Sequence, residues 1–252
     1  MNATDLIGAL GLPAGARVDQ RVPKKLLVEN GAPTAADKRQ INEGIEELQW
    51  LAALKPTTIG VAAYRDDARE VLEIAVLCLT LRSDAKAGRL TELVHRAVPY
   101  LVVLVTVHGP SLILSLVHKR RSQGEAGMTV LDGEVIEARL DDELDGNLLG
   151  AFLAALPLAR QPRGTLYALY QGWIDTVLAV QAARVTGAFS TPTSAEHAAA
   201  RREALQACAH LDSQMAGLRA AAAKEKQIPR QVELNLELKR LQADYAAARA
   251  RL

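Results

Sequence analysis

One stretch of this chain, Ser194 to Gln227, contains no proline and only one glycine, Gly217. Proline and glycine are the residues that most often end or weaken a helix, whereas alanine, which is abundant in this stretch, favours one. At 1.5 Å per residue, a single helix of roughly 50 Å is therefore predicted. Because no strand pattern occurs after Leu144 either, any β-sheet must be built from the residues before it.

The segment after this helix carries a second helical pattern. Pro229 cannot continue a helix without a kink, so it marks either a bend or a new start. Leu234, Leu238, Leu241 and Tyr245 follow in steps of four and three residues, which is the heptad spacing of a helix that packs against another helix. We predict an antiparallel helical hairpin or a coiled-coil arm, with these four side chains as partner-binding residues. The alternative is that both helices pack against the rest of the same chain.

The charges around this leucine pattern have mixed signs. Cations alternate with acids along it: Lys224, Lys226, Arg230, Lys239 and Arg240 with Glu225, Glu233 and Glu237. Mixed signs favour contacts with a protein over contacts with a nucleic acid. The whole chain also lacks a basic excess, since 30 Lys and Arg face 29 Asp and Glu for a net charge of +1.

Before Leu144, apolar runs with strand character alternate with helical patterns. The run "VLEIAVLCLTL" (residues 71–81) is apolar on both alternating faces, as a central strand is. "VPYLVVLVTV" and "SLILSLVHK" flank "HGP" (residues 108–110) and are predicted to form a hairpin. "RLTELVHRA" (residues 89–97) has helical spacing and predicts a crossover helix. "MTVLDGEVIEARL" closes the series, with a turn predicted at Asp132–Gly133.

A helix is also predicted from Thr34 to Pro56. Thr34 followed by Asp37 resembles a capping box, and Pro56 is expected to end the helix. The apolar residues between them recur at helical spacing: Ile41, Ile45, Leu48 and Ala52. The next segment, "TTIGVAAY", is predicted to be a strand.

Together these patterns predict the α+β class. Residues 1–143 would form a mixed β-sheet of about five strands with flanking helices, residues 144–190 a helical connector, and residues 191–252 a C-terminal helical arm. Within the connector, one amphipathic helix carries its apolar residues on a single stripe: Leu166, Leu169, Tyr170, Trp173 and Val177.

Cysteine content and hydropathy bear on the compartment. Cys78 and Cys208 are the only cysteines, too few for a disulfide framework or a zinc site. The longest apolar run, Ala97 to Val107, is too short to span a bilayer. A cytoplasmic protein without a membrane partner is expected.

No catalytic or cofactor-binding motif stands out in the sequence. It has no glycine-rich phosphate loop, no nucleophile motif and no metal-ligand spacing among its five histidines, so no cofactor or metal is expected and catalysis is left open. A metal-dependent nuclease would need carboxylates on adjacent strands that point to one face. The candidates for that alternative are Glu73 on the central strand and Asp132, Glu134 and Glu137 in the last one, where Arg139 replaces the lysine that such a site needs.

One cluster of cations lies at the end of a predicted strand. The run "HKRR" contains Lys119, Arg120 and Arg121, whose side chains could contact phosphates. These three are the predicted nucleic-acid-binding residues. The alternative is that they protect the strand edge or aid solubility.

Four segments carry a family resemblance. They are "VPKKLL" (residues 22–27), "DKRQINEGIEELQWLAALKPTTIGV" (37–61), "HRAVPYLVVLV" (95–105) and "EKQIPRQVELNLELKRL" (225–241). On these segments the chain resembles the bacterial domain of unknown function 4391 family. The resemblance implies an accessory role beside helicases and DNA methyltransferases in genome islands linked to mobile elements and phage defence, and it implies no catalytic residues. Ile228–Pro229 departs from the helix-friendly pair that the family pattern leads us to expect.

The leading hypothesis is a non-enzymatic accessory or scaffold subunit of a bacterial anti-phage defence or DNA-processing complex. Its C-terminal helices would dock a helicase or DNA methyltransferase subunit, and DNA or a second copy of the chain are further candidate partners. The alternative is a metal-dependent nuclease or nucleic-acid-binding protein built on the N-terminal sheet.

Overall fold

The computed structural model describes residues 1–124, 128–140 and 145–252. They form two compact units, Met1–Val177 and Leu178–Leu252. The α+β class is confirmed, because the strands lie in the first unit and the second is helical. One boundary of the predicted three-part division, between residues 143 and 144, lies outside the described residues.

A mixed sheet is the centre of the first unit. The strands described are β1 (Arg17–Arg21), β2 (Ile45–Leu54), β3 (Tyr64–Arg65), β4 (Glu70–Val71), β5 (Ile74–Leu81), β6 (Leu101–His108), β7 (Ser111–Arg121) and β8 (Thr129–Arg139). Six of these form one sheet in the order β1-β2-β5-β6-β7-β8, and β3 pairs with β4 separately. Only β5 and β6 are parallel neighbours among these strands. The mixed sheet is confirmed, with one strand more than predicted.

Helices flank this sheet. The described helices of the first unit are α1 (Ala3–Ala9), α2 (Lys24–Gly31), α3 (Ala35–Gly44), α4 (Pro56–Ile59), α5 (Ala87–Ala97), α6 (Gly146–Ala155) and the first part of α7 (Leu166–Thr186), with short 3₁₀ turns at Ala14–Ala16 and Leu158–Arg160. The predicted crossover helix is confirmed as α5, which joins the parallel strands β5 and β6. Its residues Leu90, Leu93 and Val94 are buried in a core shared with α2, α3 and these strands.

The helix predicted from Thr34 to Pro56 is wrong in its second half. Thr34 caps α3 as expected, but α3 ends at Gly44 and the chain continues from Ile45 as β2. Since β2 pairs with β1 on one side and β5 on the other, the sheet hydrogen bonds outweigh the helical spacing of its apolar residues. A larger residue at the junction would crowd its neighbours, because a Cβ on Gly44 would lie 2.8 Å from Leu90 Cδ1 and 3.2 Å from Ala85 Cβ.

Two smaller predictions are also wrong. The segment "TTIGVAAY" is not one strand. Its first residues belong to α4 (Pro56–Ile59), which Gly60 caps with a φ of +65°, and only its last residue, Tyr64, enters a strand, β3. Asp132 and Gly133 do not form a turn, because both lie inside β8. Gly133 has a φ of +100° at the point where the ladder with β7 is irregular, so the predicted turn is a bulge.

The stripe predicted on α7 is confirmed as a buried face. All five of its residues are fully buried: Leu166, Leu169, Tyr170, Trp173 and Val177. The Tyr170 hydroxyl accepts a hydrogen bond from the Val117 N–H (2.9 Å) and donates one to the Val102 carbonyl (2.7 Å). The ladder between β6 and β7 ends at Leu104 and Ser115, so this hydroxyl joins the two strands beyond their last pair.

The second unit is largely a pair of long helices, α8 (Ala195–Lys224) and α9 (Ile228–Arg249). Pro229 lies in the first turn of α9, where its missing N–H is not needed, and so it starts the helix rather than bending it. The helices are antiparallel, since Gln231 at the start of α9 contacts the Ala222 carbonyl and Arg251 after its end contacts Glu203. The predicted hairpin is confirmed. No helix in the described residues is long and apolar enough to cross a membrane.

Candidate functional site

The four predicted partner-binding residues lie on the face of α9 that packs against α8, and we call them the inner seam. Leu234 is 8 % exposed, and Leu238, Leu241 and Tyr245 are half-buried. Burial and the nearby Asp212 carboxylate of α8 raise the pKa of Tyr245. The inner seam therefore contributes to holding the hairpin together.

A second apolar row runs along α9 and was missed in the sequence. Ile228, Val232 and Leu236, which we call the outer row, are 73 %, 51 % and 56 % exposed. These are the three most exposed large apolar side chains of the described residues. Val232 and Leu236 are each two residues from Leu234, a rotation of about 200°, so the outer row faces away from the inner seam. Ile228, Val232 and Leu236 are spaced four residues apart, which indicates a common helix face. The sequence interpretation considered only the heptad of the inner seam.

A buried arginine fixes the end of the hairpin that lies far from the outer row. Arg201 of α8 is 2 % exposed. Its Nε donates to the Leu252 carbonyl (3.2 Å), and its Nη2 donates to Ser190 Oγ (2.9 Å). These bonds hold the last residue of the chain and the segment before α8, whereas the outer row begins directly after the turn at the other end of the hairpin.

The three predicted nucleic-acid-binding residues do not share one exposed cationic surface. Lys119 is 6 % exposed. Arg120 Nε lies 3.8 Å from Asp132 Oδ1, and Arg121 Nη2 lies 3.3 Å from Glu70 Oε2. Because neighbouring carboxylates offset both guanidinium charges, attraction of phosphates to this run is reduced.

Lys119 instead lies between two adjacent clefts of the first unit. The larger, of about 400 Å³, is lined by the end of α2, the end of α5 and the first residues of β8: residues 29–33, 95, 96 and 128–131 together with Lys119. The smaller, of about 210 Å³, is lined by residues 70, 72, 73, 99–101, 119–121, 128 and 129. We call the larger one the Lys119 cleft.

Burial changes the ionisation of two of the basic side chains on this cleft. The Lys119 ammonium donates to the Val98 carbonyl at the end of α5, and burial lowers its pKa to about 7. His95 is fully buried, and its Nε2 lies 3.0 Å from Ser115 Oγ. Burial, with a smaller effect of Lys119, lowers the pKa of His95 to about 3. The imidazole is therefore neutral, and its Nδ1 has no hydrogen-bond partner.

The carboxylates that a nuclease site would need do not form a cluster: two are paired with cations, and a third lies elsewhere on the sheet. Glu73 Oε2 lies 3.1 Å from Lys55 Nζ, and Asp132 Oδ2 accepts from Arg69 Nη2 at 2.6 Å. Glu137 pairs across the ladder with Ser115, away from both. Over residues 1–124, 128–140 and 145–252, no group of three or more His, Cys, Asp or Glu side chains could hold a metal ion.

Comparison with known proteins identifies one match. The family model for a domain of unknown function, DUF4391, matches residues 10–244 of the chain. The matched range includes residues of both compact units and most of the α8–α9 hairpin. Neither the curated proteins nor the solved structures contain a match.

Proposed function

The chain belongs to the DUF4391 family, and from this premise we propose that it is a cytoplasmic, non-enzymatic accessory subunit of a bacterial anti-phage defence or DNA-processing complex. In this proposal the α8–α9 hairpin docks a helicase or DNA methyltransferase subunit. The observation that carries the proposal is the outer row of α9. The choice of partner follows from the family resemblance.

The outer row has the properties of a docking surface. The inner seam packs on α8, so Ile228, Val232 and Leu236 take no part in closing the hairpin. Apolar side chains in a row on one helix face are the arrangement by which a helix enters a groove of another protein. Burying the exposed part of each side chain would contribute about 1 kcal/mol to binding.

Charged side chains surround this row and would form the rim of the interface. Arg230 and Glu233 form an ion pair of 2.6 Å, and Glu237, Lys239 and Arg240 follow on the exposed surface of α9. Rim charges of both signs add little affinity but select among partners. They match a protein surface better than a uniformly negative nucleic acid.

Co-purification from the source bacterium tests this function. The full chain, tagged at its N-terminus, is compared with a variant in which Ile228, Val232 and Leu236 are all replaced by glutamine. Glutamine keeps the helix propensity but removes the apolar row. The wild-type chain is expected to retain a helicase or methyltransferase subunit, and the triple variant to lose at least about tenfold of it, since about 3 kcal/mol of burial is removed.

The matched control changes exposed polar positions of the same helix that lie beyond the outer row, Gln242→Ala and Asp244→Ala, and should retain the partner. Circular dichroism of all three proteins checks that the hairpin is intact. Equal recovery of the partner by the triple variant would disprove docking through the outer row. Recovery of the wild-type chain without any helicase or methyltransferase subunit would disprove the proposed partner.

A further inference from the structure

The charge of Lys119 lacks a counter-ion in the described part of the chain. An ammonium group can donate three hydrogen bonds, and the Val98 carbonyl accepts one of them. No ion pair joins Lys119 to a described carboxylate, and burial alone accounts for the lowering of its pKa. A buried charge without an opposite charge is costly, and such groups in clefts are candidates for binding sites.

A second buried polar group on the same cleft also lacks a partner. His95 lines the Lys119 cleft, and its Nδ1 has no hydrogen-bond partner although the ring is fully buried. Leaving such a buried nitrogen without a hydrogen bond destabilises the folded protein. Two buried polar residues from different elements, α5 and β7, therefore line one cleft: His95, whose Nδ1 has no partner, and Lys119, whose ammonium has one carbonyl partner and no counter-ion among the described residues.

The remaining walls suit a small organic molecule. A volume of about 400 Å³ lies within the range of small-molecule sites. Met128, Val130 and Leu131 supply apolar surface, and the Asn30 amide and the Thr129 hydroxyl supply hydrogen-bonding groups. The wall therefore combines apolar surface with polar and charged groups, which suits an organic molecule that carries a charged group.

We propose that the Lys119 cleft binds the oxyanion of a small organic molecule, with the Lys119 ammonium as its counter-ion. A cationic ligand would be repelled by Lys119 and by the adjacent Arg96, and a neutral ligand would leave the ammonium uncompensated. Lysine binds such groups as a point charge. The oxyanion could be a phosphate ester or a carboxylate. This proposal is independent of docking through α9.

The other charged groups near Lys119 already have partners or lie at the rim. Arg96 pairs with Glu92, Glu73 with Lys55, and Glu70 with Arg65 and Arg121. Besides Lys119, the two clefts are lined by titratable and charged groups from several elements. They are Glu29 from α2, His95 and Arg96 from α5, Tyr100 before β6, Glu70 and Glu73 from β4 and the segment after it, and Arg120 and Arg121 from β7. A change in binding near neutral pH is thus expected to come from Lys119.

Sulfate is the first probe, because its charge is constant between pH 6 and 8. Nuclear magnetic resonance titration of the ¹⁵N-labelled full chain gives its affinity and shows whether the amides that shift belong to the cleft. Lys119 is mostly charged at pH 6 and mostly neutral at pH 8, so sulfate should bind about tenfold more weakly at pH 8. Calorimetry at pH 8 in two buffers of different ionisation enthalpy should show uptake of up to one proton per sulfate, a readout that needs no variant.

Two lysine variants then distinguish sulfate binding at the Lys119 cleft from nonspecific attraction of sulfate to other cations of the protein. Lys119→Met keeps an unbranched side chain that is one atom shorter and removes the charge. It should weaken sulfate binding at least about tenfold at pH 6 and abolish its pH dependence. Lys24→Met is the matched control, because Lys24 also donates to backbone carbonyls and its pKa is also lowered, chiefly by burial, but it lines neither cleft. Its sulfate affinity should stay within about twofold of wild type.

Adenosine monophosphate and benzoate, compared with adenosine and benzamide, distinguish the two sources of the oxyanion. Tighter binding of the nucleotide assigns a phosphate ester, and tighter binding of benzoate assigns a carboxylic acid. In either case the uncharged counterpart should bind at least about tenfold more weakly. Unchanged sulfate affinity in Lys119→Met, or no proton uptake by the wild-type protein, would overturn the proposal.

Discussion

A single hydroxyl connects the helical layer to the sheet backbone. Tyr170 on α7 satisfies the Val117 N–H and the Val102 carbonyl at the position where β6 and β7 stop pairing. Burial raises the pKa of Tyr170, so the group stays a neutral hydroxyl that can both donate and accept. The sequence shows that Tyr170 belongs to a buried stripe, but the gap that its hydroxyl fills arises from two strands more than fifty positions earlier.

Removing this hydroxyl should destabilise the first unit. In Tyr170→Phe both backbone groups lose their partner without access to water, and we expect the free energy of unfolding to fall by about 1–3 kcal/mol. Urea denaturation followed by tryptophan fluorescence measures the change. Tyr167→Phe is the matched control, since Tyr167 stacks on Tyr64 and His118 through its ring. It should change stability by less than about 0.5 kcal/mol, and equal losses in both variants would contradict the role of the Tyr170 hydroxyl.

The sequence predicts an element correctly where its apolar residues fit only a helix or only a strand. It fails where the same residues fit both. The strands β6 and β7 and the helix α5 follow directly from their apolar runs and spacing. The strand β2 does not follow from the sequence, because Ile45 to Leu54 include Leu, Ala and Glu at helical spacing. These residues form a strand because they pair with β1 and β5. The short polar strand β1, "RVDQR", has no apolar alternation to reveal it.

The two faces of α9 should respond differently to the same substitution. Leu234 is nearly buried in the inner seam, and Leu236 is more than half exposed in the outer row. Leu234→Ala should lower the stability of the hairpin by about 2 kcal/mol, because a packed side chain is truncated. Leu236→Ala should change it by less than about 0.5 kcal/mol. Hydrogen exchange of α8 and α9 amides measures both, and similar protection in the two variants would contradict the separation into a seam and an exposed row.

At the scale of the whole chain, the order of a mixed sheet followed by helices can be predicted from the sequence, because strand patterns stop before the long alanine-rich stretch. The candidate sites are harder to predict from the sequence. Lys119 was assigned to an exposed cationic run, because nothing local distinguishes it from Arg120 and Arg121. It is buried beside α2 and α5, which come from much earlier in the chain, and beside β8, the strand that follows it. A heptad likewise shows that a helix packs on something, but not that its opposite face is left open.

Burial of Lys119 should also be visible in the stability of the whole protein. Between its lowered pKa of about 7 and the unfolded value of 10.5, the unfolded chain carries a proton on this side chain that the folded protein lacks. Stability should therefore rise with pH in this range. From pH 7 to 9 the rise from this one group amounts to about 2 kcal/mol. The two thiols, whose pKa is raised by burial, oppose this rise only near pH 9, where the unfolded chain begins to lose their protons, and they do so equally in the wild-type protein and in Lys119→Met.

Lys119→Met should remove this rise and be at least as stable as the wild-type protein at pH 7, because the uncharged side chain is not penalised by burial. Urea denaturation at pH 7, 8 and 9 measures both effects. Lys24→Met should keep most of the rise, because Lys119 is unchanged in this variant. The pKa of Lys24 is also lowered, but Lys24 is less buried than Lys119 and contributes less. If the wild-type protein and Lys119→Met gained stability equally between pH 7 and 9, the folded protein would hold the proton on Lys119 throughout. The ammonium would then need a compensating partner within the chain, and the cleft would have no unmet charge for an oxyanion to balance.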